Sequence, residues 1–324
     1  MICRVAENCF WMHRYLERAD NMARLIDATR ALVVDTRVNH RDRWLPLVIV
    51  AGEEERFREK YGPEASFDRV TVQDFLIWDR ENPVSVASSI WWARENARMV
   101  RETVSLEVWE SINSFWLWIK SDAARQVFDR DIREFLGMLK ANVQLIRGVS
   151  EDTLSHDEPF DFMALGRWLE RANQTARILD SRYHALGPSA YSDEAEYAQS
   201  LTLLRSLGAI EVYMRRGGRQ NGRDMADFLV TDAAFPRSVM FSLSAAAWVH
   251  GRLEARSCPR STGGKIGELK DQIALRWSAA EVNVHEELTF IVDSVAELCN
   301  NVRLDWFDWP PMSQDEPNAR QGEE

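Results

Sequence analysis

The sequence predicts an all-α fold, a multi-helix bundle built from two tandem helical halves. Apolar residues recur three and four positions apart over most of the chain, which is the period of an amphipathic helix. No segment alternates apolar and polar residues in the manner of a half-buried strand. A charged helical stretch also occurs twice, at 14–27 and at 167–180, with eight of fourteen positions identical.

The repeat extends beyond this charged stretch. The Asp-Phe-Leu sequence at 74–76 recurs at 227–229, and the Pro-x-Ser sequence at 83–85 recurs at 236–238. Each pair has the same offset as the charged copies (180 − 27 = 153; 227 − 74 = 153; 236 − 83 = 153). One offset shared by separated blocks indicates a tandem duplication. We therefore predict two halves that are related by a pseudo-twofold axis.

The halves are expected at about 1–153 and 154–309 of a single domain over 1–309, followed by a disordered polar tail over 310–324. Helices are predicted at about 4–36, 44–61, 72–78, 83–104, 105–120, 129–147, 159–186, 192–215, 224–230, 236–255, 265–279 and 283–304. Thr71 is expected to cap the third of these, and Asn82 with Pro83 to begin the fourth. Residues 148–157 are predicted to form a polar connection.

Composition excludes several classes of function. The formal net charge of −11 disfavours nucleic acid and anionic membrane as partners. The four cysteines show no CxxC spacing, the first residues lack an apolar signal segment, and no apolar run approaches 18 residues, so a cytoplasmic protein is expected. Neither a cofactor nor a metal is indicated, because the sequence lacks nucleotide-binding loops and the Glu-x-x-His spacing of di-iron sites.

The two members of the repeated Glu-Arg pair occupy different helical positions. At 100° per residue, Glu17 shares one polar face with Arg14, Asn21 and Arg24, whereas Arg18 lies at the edge of the apolar arc. The second copy repeats this division, with Arg171 at the apolar edge. Its polar face carries Arg167, Glu170, Gln174 and Arg177. An arginine at an apolar edge either extends to water or needs a buried acceptor.

Three interpretations of these helices stay open at this point. The glutamates could form pairs within their own helices, Glu17 with Arg14 and Glu170 with Arg167, while Arg18 and Arg171 tie helices together. Alternatively, the two polar faces could line a cleft for a carboxylate- or phosphate-bearing ligand. The third interpretation is a protein-docking face. A further charged group containing Arg94 and Arg98 either adds to the cleft or forms a solvated face.

The chain resembles the alpha-E domain family, whose signature is a Glu-Arg pair. The similarity spans residues 1 to about 308 and is carried by 11–19, 94–98, 105–110, 165–172 and 235–239. His13 stands where the family pattern leads us to expect a small residue. The resemblance implies a bacterial, all-helical domain whose relatives accompany a circularly permuted ATP-grasp protein and often a transglutaminase-like protein. Those associations imply ATP-dependent formation of peptide or amide bonds.

The leading hypothesis is an accessory or scaffold protein of an ATP-grasp amide ligase, with a Glu-Arg cleft that binds a carboxylate-bearing substrate or the partner. One rival is an independent enzyme that uses Glu17 or Glu170 as general base, with Arg18 or Arg171 holding an anion. A second rival is a purely structural oligomer. The sequence does not specify the substrate or the oligomeric state.

Overall fold

The structure, a computed structural model, describes residues 3–35, 44–185, 193–219, 221–256, 261–279 and 282–308. Within these ranges it is helical and contains no strand, which confirms the all-α prediction. The helices are α1 Cys3–Asp35, α2 Leu45–Ala51, α3 Glu54–Tyr61, α4 Arg69–Ile77, α5 Val86–Met99, α6 Leu106–Ile119, α7 Asp122–Arg130, α8 Ile132–Thr153, α9 Glu158–Ala185, α10 Asp193–Ser206, α11 Ile210–Arg215, α12 Gly222–Thr231, α13 Val239–Ala255, α14 Ser261–Trp277 and α15 Val284–Val302. A π-helical turn, Arg303–Phe307, follows α15. The predicted disorder of 310–324 lies outside the described residues.

The two long helices that carry the repeated charged stretch form the centre of the molecule. The 33-residue α1 packs along α9 and also contacts α5, α8 and α10. The 28-residue α9 is covered on its other sides by α2, α13 and α15. Small alanines at 19, 23, 172 and 176 are buried on these helices, so their backbones can approach closely. No described helix is long and apolar enough to cross a membrane.

Helices α1 and α9 are in close backbone contact at Gly166. A Cβ atom added at this glycine would lie 2.2 Å from the carbonyl oxygen of Phe10. Phe10 is itself fully buried, so its backbone has little room to move aside. The absence of a side chain at residue 166 therefore sets the spacing of the central helix pair.

Replacing Gly166 with alanine is expected to lower the free energy of unfolding by about 1–3 kcal/mol, the usual cost of overpacking a filled core. The matched control is Gly137→Ala within α8, where an added Cβ meets nothing within 4 Å. That change should stabilise the helix by about 0.5–1 kcal/mol. Urea denaturation of both variants provides the measurement, and a Gly166→Ala protein as stable as Gly137→Ala would contradict the close approach.

Several helices begin at residues other than those predicted. The cap of α4 is Asp68, whose carboxylate accepts hydrogen bonds from the backbone N–H groups of Val70 and Thr71, so the assignment of Thr71 as cap was wrong. Helix α5 begins after Ser85 rather than at Asn82-Pro83. The Asn82 side chain instead accepts from the Val84 N–H, which forms a turn before the helix.

Other elements also differ from the prediction, and the segment predicted as one helix over 44–61 is divided into α2 and α3 at Gly52. Helix α8 continues through the expected polar connection as far as Thr153, and Ser150 is buried within it. The short helix α7 was not predicted. The segment predicted as one helix over 192–215 is divided into α10 and α11 at Gly208, which adopts a φ of 64° that favours glycine.

Candidate functional site: a buried glutamate-arginine network

The signature glutamate of α9, Glu170, is bound by two arginines from α1. Arg14 donates from Nε to Oε2 at 2.8 Å, and Arg18 donates from Nε to Oε1 at 2.8 Å and from Nη2 to Oε2 at 3.2 Å. Gln174 adds a bond to Oε1 at 3.1 Å. Glu170 is only 1% exposed. Both carboxylate oxygens are thus occupied by donors from within the protein.

The signature glutamate of α1, Glu17, is bound in the opposite direction. Arg171 of α9 donates to both of its oxygens, at 2.8 Å and 3.0 Å. Arg147 of α8 donates to Oε2, and Asn21 donates to Oε1 at 3.2 Å. Glu17 is fully buried. Each glutamate is therefore neutralised mainly by the signature arginine of the other central helix.

A third buried carboxylate, Asp20, extends the network. Arg237 donates to Asp20 at 2.6 Å and to the side-chain oxygen of Asn21 at 3.0 Å. Arg24 donates to Asp20 at 3.1 Å and to the Ser206 carbonyl at 2.9 Å. These contacts connect α1 to the start of α13 and to the end of α10. Together, the contacts of Glu17, Asp20 and Glu170 join five helices, α1, α8, α9, α10 and the start of α13, around one buried polar centre.

Sequence reasoning missed Arg147, Asp20 and Arg237 as members of the network. Arg237 is the middle residue of the repeated Pro-x-Ser block, so the repeat could have marked it as a candidate member of the network. Asp20 lies inside the charged stretch but aligns with an asparagine in the second copy. Arg147 lies at an otherwise ordinary helical position, and nothing in the sequence links it to Glu17.

One of the three interpretations, that each glutamate pairs with an arginine of its own helix, was wrong. Arg14 binds Glu170 rather than Glu17, and Arg167 contacts Glu151 at 3.3 Å rather than Glu170. The physical reason is the close packing of α1 on α9, which brings the arginines of each helix to the glutamate of the other. Two or more arginines per carboxylate satisfy a fully buried charge better than a single neighbour along one helix would.

Arg177 lies at the far end of the same face but does not bind a signature glutamate. Its Nε donates to Asn173 at 2.9 Å and its Nη1 donates to the Val50 carbonyl at 2.9 Å. Through these bonds it fixes the end of α2 against α9.

Arg94 and Arg98 form a separate group at the surface of α5. Arg94 donates to Asn113 of α6 at 2.8 Å and pairs with Glu95, and Arg98 donates to Glu95 at 2.9 Å. Each arginine of this group thus has a partner close by, on α5 or α6. Among the described residues, no hydrogen bond joins this group to Glu17-Arg18 or to Glu170-Arg171.

The arginines keep the buried carboxylates ionised. Burial alone would raise the pKa of Glu170, but Arg18 and Arg14 outweigh it and lower the pKa to about 2. Burial is likewise outweighed at Glu17, where Arg147, Arg171 and the more distant Arg237 lower the pKa well below its ordinary value. A general base works best with a pKa near the working pH. The bound and strongly acidic glutamates are therefore poorly suited to that role.

Two buried nitrogen atoms in this region have no hydrogen-bond partner among the described residues, Nε2 of His13 and Nε of Arg167. His13 is only 4% exposed, and burial together with Arg167 and Arg147 lowers its pKa to about 3. Burial, with Arg171 and Arg147 nearby, lowers the pKa of Arg167 to about 10. This region therefore combines two unpaired buried nitrogen atoms with several nearby arginines.

The described residues contain no group of three or more His, Cys, Asp or Glu side chains placed to hold a metal ion. Cys9 is fully buried, and burial, with a smaller contribution from Asp157, raises the pKa of its thiol to about 12, which makes it a poor nucleophile. The side chains that converge at the centre are arginines, carboxylates and amides. That composition can bind oxyanions and join helices.

The fold and this network define an all-helical protein organised by crossed Glu-Arg pairs. The chain belongs to the Alpha-E family, described as a predicted alpha-helical domain with a conserved ER motif, and the family matches residues 1–307. The ER motif corresponds here to Glu17-Arg18 and Glu170-Arg171.

Three curated relatives are similar to the chain over most of its length. They are an uncharacterised protein of Mycobacterium bovis and uncharacterised proteins of two strains of Mycobacterium tuberculosis, each 24% identical over 303 residues. The match covers 88% of this chain and 33% of each relative, so the chain spans about a third of the length of these relatives. No solved structure matches the chain significantly.

Proposed function

We propose that this chain is a helical accessory protein of an ATP-grasp amide ligase, and that it also works with a transglutaminase-like protein. In this proposal the folded domain docks the ligase and the polar centre contributes a site for a carboxylate- or phosphate-bearing ligand. The reaction served would be the formation or modification of peptide or amide bonds. The family resemblance supports the partner class, and the geometry supports a role without independent catalysis.

The observation that carries this conclusion is the crossed use of the signature residues. Glu17 and Glu170 are both buried, and each binds at least two guanidinium groups that belong to other helices. A carboxylate in that state is neither free to accept a proton nor accessible to a substrate. The signature thus maintains a rigid helical body, which suits a scaffold better than a catalyst.

Complex formation with a circularly permuted ATP-grasp protein from the same organism tests the proposal. We expect a stable complex at micromolar concentrations when the two purified proteins are mixed and separated by size-exclusion chromatography. A matched mixture with an unrelated ATP-grasp protein serves as the control for non-specific association. Separate elution of both proteins at these concentrations would contradict the proposed partnership. Ligase activity of this chain alone would contradict the accessory role.

A further inference from the structure

The network contains more arginines than carboxylates. Its buried carboxylates are Glu17, Asp20 and Glu170. Its arginines, all packed on or between the central helices, are Arg14, Arg18, Arg24, Arg147, Arg167, Arg171 and Arg237. Every buried carboxylate already receives at least two of these guanidinium groups. The positive charge of the network therefore exceeds its buried negative charge.

The surplus is concentrated at Arg167. Within the described chain its guanidinium has one ionic partner, the carboxylate of Glu151 at 3.3 Å. The Arg167 side chain is 13% exposed, whereas that of Glu151 is 43% exposed. A half-exposed carboxylate at this distance is weakly held, because water screens the pair and competes for the same donors. Glu151 can therefore be displaced without disturbing the buried centre.

The surroundings of Arg167 are arranged for an oxyanion. Arg147 lies one turn from Glu151 on α8; its side chain is 14% exposed and its Nη2 binds the buried Glu17. The Trp168 ring lies 4.7 Å from the Arg167 guanidinium carbon and 4.6 Å from that of Arg171, which holds both planes in place. The unpartnered Nε of Arg167 and Nε2 of His13 are further polar atoms without a bond.

We propose that Arg167 and Arg147 form an oxyanion-binding site at the rim of the network, and that the carboxylate of Glu151 occupies it in the absence of ligand. This inference rests on the proposed function, since it assigns a position and a chemistry to the ligand site of the accessory protein. The group recognised is a carboxylate or a phosphate, because a guanidinium fork binds either bidentately. The signature glutamates take no part in binding.

Anion binding to wild type and three variants tests this site. The probes are inorganic phosphate and N-acetylglutamate, titrated calorimetrically at constant ionic strength with chloride as the balancing anion. Glu151→Gln removes the internal competitor and should tighten binding about tenfold, while Arg167→Lys should weaken it about tenfold, since a charge-assisted fork is lost. Glu134→Gln, an exposed change on the same helix, should leave the affinity unchanged.

Tighter binding of either probe by Glu151→Gln supports the site, and the preferred probe identifies whether phosphate or carboxylate is the natural group. Equal affinities for wild type, Glu151→Gln and Glu134→Gln would overturn it. Because Glu151→Gln changes an exposed side chain, it keeps the test decisive even where Arg167→Lys fails to fold. If the anion affinities are unchanged but the complex with the ATP-grasp protein still forms, the oxyanion site is contradicted. The accessory role is still supported in that case.

Discussion

Replacing Glu17 with glutamine is expected to lower the free energy of unfolding by about 3–5 kcal/mol, the usual result of removing one partner from a buried ionic group. Glu17 is fully buried and binds Arg171 and Arg147, with Arg237 at 3.7 Å. Glutamine keeps the shape of the side chain but carries no charge, so these guanidinium groups lose their main counterion. Their burial then becomes a net cost, because desolvation is no longer offset.

Urea denaturation followed by circular dichroism measures this loss, with Glu134→Gln as the matched control. Glu134 forms a pair with Arg130 in which both side chains are about half exposed or more, at 48% and 67%. Such a pair contributes at most about 1 kcal/mol, so the control should be nearly as stable as wild type. Equal stability of the two variants would show that Glu17 is not an essential counterion.

Acidification from pH 7.5 to 5.5 is expected to destabilise the protein, with His13 alone contributing about 1.4 kcal/mol. Burial and the neighbouring Arg167 and Arg147 lower the pKa of His13 to about 3, from an ordinary value of 6.5. The unfolded chain therefore binds a proton below pH 6.5 while the folded protein does not. The resulting stability is present above the unfolded pKa and is lost progressively as the pH falls toward 3.

The comparison of wild type with His13→Asn isolates this effect. Between pH 7.5 and 5.5, the free energy of unfolding of the variant should fall by about 1.4 kcal/mol less than that of wild type. The pKa of His250 is also lowered mainly by burial, so this residue acts with the same sign. The stability of both proteins therefore still depends on pH to some extent. Glu170 acts at lower pH, since its stabilisation is lost only as the pH falls from its ordinary value of 4.5 toward 2. Identical slopes in wild type and His13→Asn would contradict a neutral buried His13.

The helices were predictable because their signals are local. Apolar residues at helical spacing placed α1, α6 and α9 within a few residues of their observed ends, and Ser105 was recognisable as the start of α6. Errors arose where neighbouring residues compete for one role, as Asp68 and Thr71 do at α4. The tandem duplication inferred from the shared offset stays a prediction.

The network was only partly predictable, because its partners are distant in sequence. The charge and helical position of Glu17 and Arg18 marked them as important, but helical geometry describes one helix at a time. Which arginine binds which glutamate depends on how α1 and α9 pack, and that packing depends in turn on contacts such as Gly166 against Phe10. Arg147 joins the centre only through tertiary structure.

The crossed pairing also affects the order in which the chain can fold during synthesis. Glu17 is separated by 130 residues from Arg147 and by 154 from Arg171. A ribosome adds about 5–20 residues per second, so Arg147 and Arg171 are synthesised on the order of ten seconds or more after Glu17. Until then the carboxylates of Glu17 and Asp20 are better solvated by water than buried. We therefore expect α1 to pack stably only after α9 has emerged from the ribosome.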